Sequence, residues 1–318
     1  MIEGHFDYRA ACPACHSGNV QQLYACSLTE SPLKEYIADF YASQGGVEFS
    51  YLEGVDFILD ECLDCELIYQ RAVPNFLLMH ILYERWIDPS KQFRVYHLNH
   101  GVDYFARIAD EIEALVRYFG KKPNELKLLD FGMGWAEWSH IASAFGCDVR
   151  GIELGQSKID YARKFGIITL DWGEIPPGEF DVINAQEVFE HVTDPVSTLT
   201  VLCSALKPEG IMKISVPNGR DIRKRLKVMD WKAPKGSKNN LNAISPLEHI
   251  NCFNSHSLLS MARRAGLVPT PLNTTSRKKL LDRSVKEILR PYYRRVTKLT
   301  RGDDGWGTYV FFKKAGPA

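Results

Sequence analysis

The sequence predicts an α/β protein: a largely parallel sheet with helices on both faces, preceded by a small cysteine-bearing module. Three observations carry this. From Lys127 onward short apolar runs, LKLLDFG, VRGIEL, IITLDW, FDVINAQ and GIMKISVPN, alternate with amphipathic stretches, the pattern of repeated βα units. The first run leads into a glycine-rich turn, Gly132-Met133-Gly134, at a strand's carboxyl end, where such sheets bind ligands. Ahead of these units stand two Cys-x-x-Cys pairs.

A chain of 318 residues, 45% of them hydrophobic and 25% charged, has ordinary globular composition and length for two units. Collagen, intrinsic disorder and a small disulfide scaffold are excluded. No run approaches the roughly 18 uncharged apolar residues of a membrane span, and MIEGHFDYRAAC lacks the basic and apolar regions of a signal peptide. The expectation is a soluble, cytoplasmic protein. Its 39 basic and 39 acidic side chains are unevenly spread, giving −10 over residues 1–120 and +10 over residues 121–318. That split fits domains with different partners, or equally a solvated charge pattern.

The first pair is Cys12-Pro-Ala-Cys15 and the second Cys62-Leu-Asp-Cys65. A two-residue spacer lets both thiolates of a turn face one ion, and two such turns complete the tetrahedron of a structural Zn²⁺. Unliganded core cysteines and a redox dithiol are the alternatives. The 46-residue gap is long, and His16 and Glu66 stand where a glycine often follows the second cysteine. Residues 1–75 are thus expected to form a zinc ribbon that folds on metal binding, being short of a core of its own.

Residues 76–122 are expected to bridge the ribbon to the sheet. Within them Tyr104, Phe105, Ile108, Ile112, Leu115, Val116 and Phe119 recur every three or four residues, one apolar helical stripe that Gly120 and Pro123 end.

The sheet domain, 123–318, opens with Asp130-Phe131-Gly132-Met133-Gly134-Trp135-Ala136. A dinucleotide fingerprint wants glycine at 137, where Glu137 would face a pyrophosphate; together with Asp130 it makes an acidic mouth suited to a cationic ligand. Glu153, 23 residues after Asp130, ends the second strand, where a carboxylate can accept both ribose hydroxyls. Asp171 and Trp172 end the third, where a carboxylate can take an adenine amino group and a ring can cover the base. Core packing is the other reading of Trp172.

These residues resemble the class I S-adenosylmethionine-dependent methyltransferases. The resemblance spans residues 126–274 and resumes at 308–313, on LLDFGMGWA, GIELGQSKIDYARKFG, FDVINAQEVFEHVTDP and LKPEGIMKISVPN in the family's order and spacing. Ala136 replaces the usual third glycine, and Glu209 the first glycine of a Pro-Gly-Gly turn. The cysteine pairs also resemble a bacterial subgroup with an N-terminal zinc module, which includes deoxysugar methyltransferases. The resemblance implies a Rossmann-like fold and S-adenosylmethionine as methyl donor. It places Asp130, Gly132 and Gly134 at the methionine portion, Glu153 at the ribose, Asp171 and Trp172 at the adenine, and Gln186 at the methyl-bearing region.

Glu187, Glu190 and His191 share one face if their segment is helical, a candidate Mg²⁺ face. The spacing resembles ubiquinone-pathway O-methyltransferases, in which these positions bind a metal; packing and hydrogen bonding are the plainer reading. His249, in SPLEHINCF, is the candidate general base, since a neutral imidazole titrating near 6.5 can take a proton from a hydroxyl. A hydrogen bond to the loop backbone is its alternative role. Two basic segments, 219–247 and 276–304, exceed a minimal core. Arg277 to Arg301 holds ten Lys or Arg against two acidic residues, and the segments suit either an anionic acceptor or a solvated face.

The expected function is methyl transfer to a small acceptor, such as a nucleotide-linked sugar or another anionic metabolite, by O- or C-methylation. Nucleic-acid methylation ranks below it, because Asn184-Ala185-Gln186-Glu187 lacks the Pro-Pro-aromatic clamp that holds a flipped base. A non-catalytic cofactor-binding interaction module is the third class.

Overall fold

A computed structural model of the chain describes residues 4–272, 302–303 and 307–316. The basic helix expected around Leu280 to Leu289, and the rest of 276–301, lie outside the described residues.

The chain opens with β1 (Phe6–Tyr8), β2 (Val20–Ser27), α1 (Leu33–Ala42), β3 (Asp56–Cys62), β4 (Ile68–Gln70) and β5 (Ala72–Pro74). Two helices follow, α2 (Phe76–Ile81), capped by the Asn75 side chain on Leu78 N–H at 3.1 Å, and α3 (Pro89–Asn99). The striped helix is α4 (Val102–Phe119). It ends as its sequence dictates, with Gly120 in the left-handed region (φ 60°) returning its N–H to Val116 O. Ile108, Ile112 and Leu115 are buried, whereas Phe105 at the edge of the stripe is exposed.

The βα alternation then runs β6 (Lys127–Phe131), α5 (Glu137–Ala144), β7 (Asp148–Ile152), α6 (Gln156–Lys164), β8 (Ile168–Thr169), β9 (Phe180–Gln186), α7 (Pro195–Ala205) and β10 (Leu206–Pro217). Asp194 caps α7 through Ser197 N–H, with Pro195 in the first turn. The remainder is α8 (Ile222–Val228), β11 (Asn251–Cys252), α9 (Ser255–Arg264), β12 (Leu267–Pro269), β13 (Gly302–Asp303) and β14 (Gly307–Lys314).

The chain folds as two compact units. The second comprises Tyr96–Val188, Leu199–Ser215 and Ala265–Ala318. Its sheet has the order β12-β14-β10-β9-β6-β7-β8, with β13 on β14. The pairs from β10 to β8 are parallel and β12–β14 is antiparallel. This is the Rossmann-like sheet that the sequence predicts. Strand order reverses between β6 and β9, which makes the carboxyl ends of those strands a switch-point crevice. Ile112, Leu115, Leu128, Trp138, Val182 and Phe311 share its core.

The first unit comprises Met1–Val95, Phe189–Thr198 and Val216–Arg264. Its four-stranded sheet has the order β11-β4-β3-β2, antiparallel throughout. The linear division expected at 75 and 122 is therefore not the one the fold makes. The physical reason is burial: Ile222, Trp231, Leu241, Ile244 and Leu247, from a stretch that reads as basic surface, pack with Leu33, Ile37, Tyr41, Phe57 and Trp86. The cysteine module thus has a substantial core, contrary to the expectation. Part of that stretch's charge is spent internally, Arg223 on the buried Glu61 and Lys224 on Asp221. Among the described residues no helix is long and apolar enough to cross a membrane.

Candidate functional site

In the second unit β6 delivers the chain into the glycine turn. Gly132 and Met133 both donate to Ile152 O, at 2.9 and 3.0 Å, folding the turn back on β7. A Cβ on Gly132 (φ 68°) would approach Val188 Cγ2 to 2.5 Å, so that position requires glycine. Gly134 (φ 55°) has nothing within 4 Å of where its Cβ would stand. Ala136 adopts φ 63° just before α5, so the missing third glycine changes the residue and not the path, at a cost of about 1 kcal/mol.

Glu153 is tied to this turn. Its Oε2 accepts Gly134 N–H at 2.9 Å, and its Oε1 accepts those of Leu154 and Gly155 at 2.9 and 3.0 Å. A carboxylate has about four acceptor sites, so one that takes three N–H groups keeps about one for a ligand hydroxyl. Trp172 is 41% exposed and leans on Phe131, with centroids 5.4 Å apart. That decides against core packing and leaves an indole face for a flat ring. Asp171 caps the turn Trp172–Glu174.

Asp130 turns inward. Its oxygens accept Ser139 Oγ at 2.6 Å and Asn184 Nδ2 at 2.8 Å, and burial raises its pKa to about 6 against the lowering effect of those bonds. Gln186, at the end of β9, offers Oε1 to Lys213 Nζ at 3.1 Å. Lys213 is in turn paired with Glu111 at 2.8 Å, and Glu111 also accepts Trp138 Nε1 at 2.9 Å. The Gln186 amide is thereby oriented with its NH₂ away from Lys213. Sequence reasoning missed Lys213 and Glu111. The signal was a lone charge inside the apolar run GIMKISV, and an acid beside the stripe on α4.

The first unit gathers a different cluster. Glu190, His191 and His249 each present a ligand atom within 4.8 Å of the others. His191 Nδ1 lies 2.8 Å from Glu248 O, and His249 Nδ1 lies against Asn242 O. A carbonyl only accepts, so both Nδ1 atoms carry a proton, and in the neutral ring Nε2 then presents the lone pair with which imidazole ligates a cation. Burial, reinforced by the charge His191 can carry, holds His249 well below the usual imidazole pKa, so the ring stays neutral. The expected Mg²⁺ face has to be corrected in its membership. Glu187 adopts φ 55°, the 187–191 segment forms no helix, and the Glu187 carboxylate accepts Ser215 Oγ at 3.0 Å. The group that the fold brings together is Glu190 and His191 with His249.

Also in the first unit, the four cysteines converge. Cys12 and Cys65 sulfurs stand 3.5 Å apart, and those of Cys15 and Cys62 3.4 Å. That is far beyond a disulfide and near the roughly 3.8 Å between sulfurs that share a tetrahedral zinc, so this thiol set fits the ion. His16 and Glu66 adopt φ 60° and 63°, taking the left-handed path of the absent glycines. The bond from Cys65 lowers the Cys12 pKa to about 5.

The methyltransferase domain family matches residues 99–272, more than half of the chain. The ubiquinone biosynthesis O-methyltransferase of Bordetella pertussis is 27% identical over 208 residues, 58% of this chain and 76% of that protein. That of Idiomarina loihiensis is 28% identical over 209 residues, 60% and 81% of the two chains. Among solved structures, the plantazolicin methyltransferase BpumL in complex with SAH covers 74% of this chain and 93% of its own at 17% identity and a TM-score of 0.46. A SAM-dependent methyltransferase from Archaeoglobus fulgidus covers 70% and 99% at 13% identity and a TM-score of 0.42.

Proposed function

The chain belongs to the methyltransferase domain family and is an S-adenosylmethionine-dependent enzyme, and on that premise we propose that it methylates a hydroxyl of a small acceptor at a divalent-metal centre formed by Glu190, His191 and His249. The observation that carries the reading is the convergence of a carboxylate and two imidazoles whose Nδ1 protons are committed to backbone carbonyls. O-methylation is also what the names of the Bordetella and Idiomarina relatives state.

Gly132 and Gly134 let the backbone approach the methionine portion of the donor, with Asp130 holding the turn from beneath through Ser139 and Asn184. Glu153 accepts a ribose hydroxyl, Asp171 and Trp172 flank the adenine, and Gln186 turns its amide NH₂ toward the methyl-bearing region. Only Glu187, Val188 and Phe189 separate Gln186 from Glu190 along the chain. S-adenosylmethionine supplies the electrophilic methyl, so the protein's task is to align it with the acceptor and exclude water. A divalent cation at the cluster would supply Lewis acidity that lowers a hydroxyl's pKa. His191 and His249, each with Nδ1 against a carbonyl, suit ligation through Nε2, and His249 serves there in place of the general base expected for it. The four cysteines would hold a structural Zn²⁺, leaving no open position for chemistry.

The test is an S-adenosylhomocysteine release assay over catechols, phenolic acids and nucleotide sugars, with and without added Mg²⁺ or Mn²⁺. Metal-stimulated turnover of a vicinal diol or catechol is expected. Metal-independent turnover of a nucleotide sugar alone would replace the reading with sugar methylation.

A further inference from the structure

Gln70 ends β4, five residues after Cys65, and is 2% exposed. Both polar atoms of its side chain are spent on one turn. Its Nε2 donates to Ser245 O at 3.0 Å and to His249 O at 3.1 Å, and its Oε1 accepts Leu247 N–H at 3.4 Å. The backbone N–H of Gln70 adds a fourth bond, to Ile250 O at 3.0 Å. That turn carries His249 itself and Glu248, whose carbonyl receives the His191 Nδ1 proton. Leu247 within it has φ 72°, a strained conformation that persists only where its surroundings impose it. Half-buried Arg9 and buried Asn251 secure the other segment. Arg9 donates to Val192 O and Thr193 O and to Asn251 Oδ1, while Asn251 donates to Glu190 O from its backbone and to Phe189 O and Val192 O from its side chain.

We propose that Gln70 is a positioning residue for His191 and His249, through which the sheet that carries Cys62 sets the geometry of the Glu190–His191–His249 cluster. Among the natural side chains, glutamine brings two donors and an acceptor on a stem of this length, and this turn uses all three. The inference deepens the metal-centre reading of that cluster, and its first test does not depend on a metal.

The experiment is a long-range ¹H–¹⁵N spectrum of the imidazoles in the full chain at pH 8, with signals assigned by His191→Gln and His249→Gln. The wild type is expected to show both rings protonated at Nδ1. In Gln70→Met, which keeps the volume and loses the polar contacts, both rings should move toward the Nε2–H tautomer. Mn²⁺ affinity, read by electron paramagnetic resonance, should fall by at least about tenfold. Unchanged tautomers in Gln70→Met would overturn the proposal. If that variant does not fold, Gln70→Glu keeps the acceptor for Leu247, loses both donations and is read in the same way. Failure of both to fold would make Gln70 a folding residue and also overturn it. A wild type that binds no Mn²⁺, with tautomers that still shift in the variant, would sink the metal reading and leave the positioning role standing.

Discussion

The rings of His191 and His249 meet edge to face, with centroids 4.9 Å apart and planes at 72°. Each has its Nδ1 against a backbone carbonyl, and the His191 Nε2 stands 3.7 Å from a Glu190 carboxylate oxygen.

His191→Ala and His249→Ala are each expected to lower methyl transfer by on the order of 10² or more while S-adenosylmethionine affinity changes little. A chelator too weak to strip a metal from a four-thiolate site should inhibit the wild type, and Mn²⁺ should restore it. Full activity after such treatment would remove the metal from the mechanism.

Glu153→Ala removes the acceptor for Gly134 N–H as well as the ribose contact. Hydrogen bonds to a charged group contribute about 1.5–3 kcal/mol each, so calorimetry should show the donor's affinity reduced by at least about tenfold. Glu153→Gln, which keeps one carbonyl acceptor, should lose less. Equal affinities in all three proteins would take Glu153 out of the site.

The parallel strands were legible because their apolar runs and the turn after Phe131 are local signals. The apolar stripe of α4 was legible for the same reason, down to the glycine that stops it. The burial of Trp231, Leu241 and Leu247 was not, because a basic stretch announces a surface while its few apolar residues find their core far away in sequence. The Glu190–His191–His249 cluster was half legible. Spacing joined Glu190 to His191, but the assumption of a helix added Glu187, and only the fold brings in His249 from 58 residues further on.

Cys62→Ser should abolish zinc binding, measured by metal analysis at about one ion per chain in the wild type. Because Trp86, Phe57 and Leu241 give the first unit a core of its own, the variant is expected to keep its near-ultraviolet circular dichroism at low temperature and to melt earlier. Complete loss of tertiary signal would restore the view that this unit folds only on metal.

Burial gives Asp130 a pKa of about 6 in the folded chain, above the ordinary 3.8. The folded state therefore binds this proton more tightly than the unfolded state does. The group's contribution is neutral below about pH 4, and stability is lost as pH rises from there through 6, by on the order of 3 kcal/mol once the carboxylate is fully charged. Asp130→Asn escapes that penalty, and its amide can still accept from Asn184 and donate to Ser139. Denaturant titrations should find the variant more stable than the wild type at pH 8 and no more stable at pH 4. The same substitution removes a negative charge beneath the turn, so affinity for the cationic donor should fall. Opposite signs for stability and affinity cannot come from a folding defect, whereas a variant destabilised equally at both pH values would show that Asp130 is not held as this geometry requires.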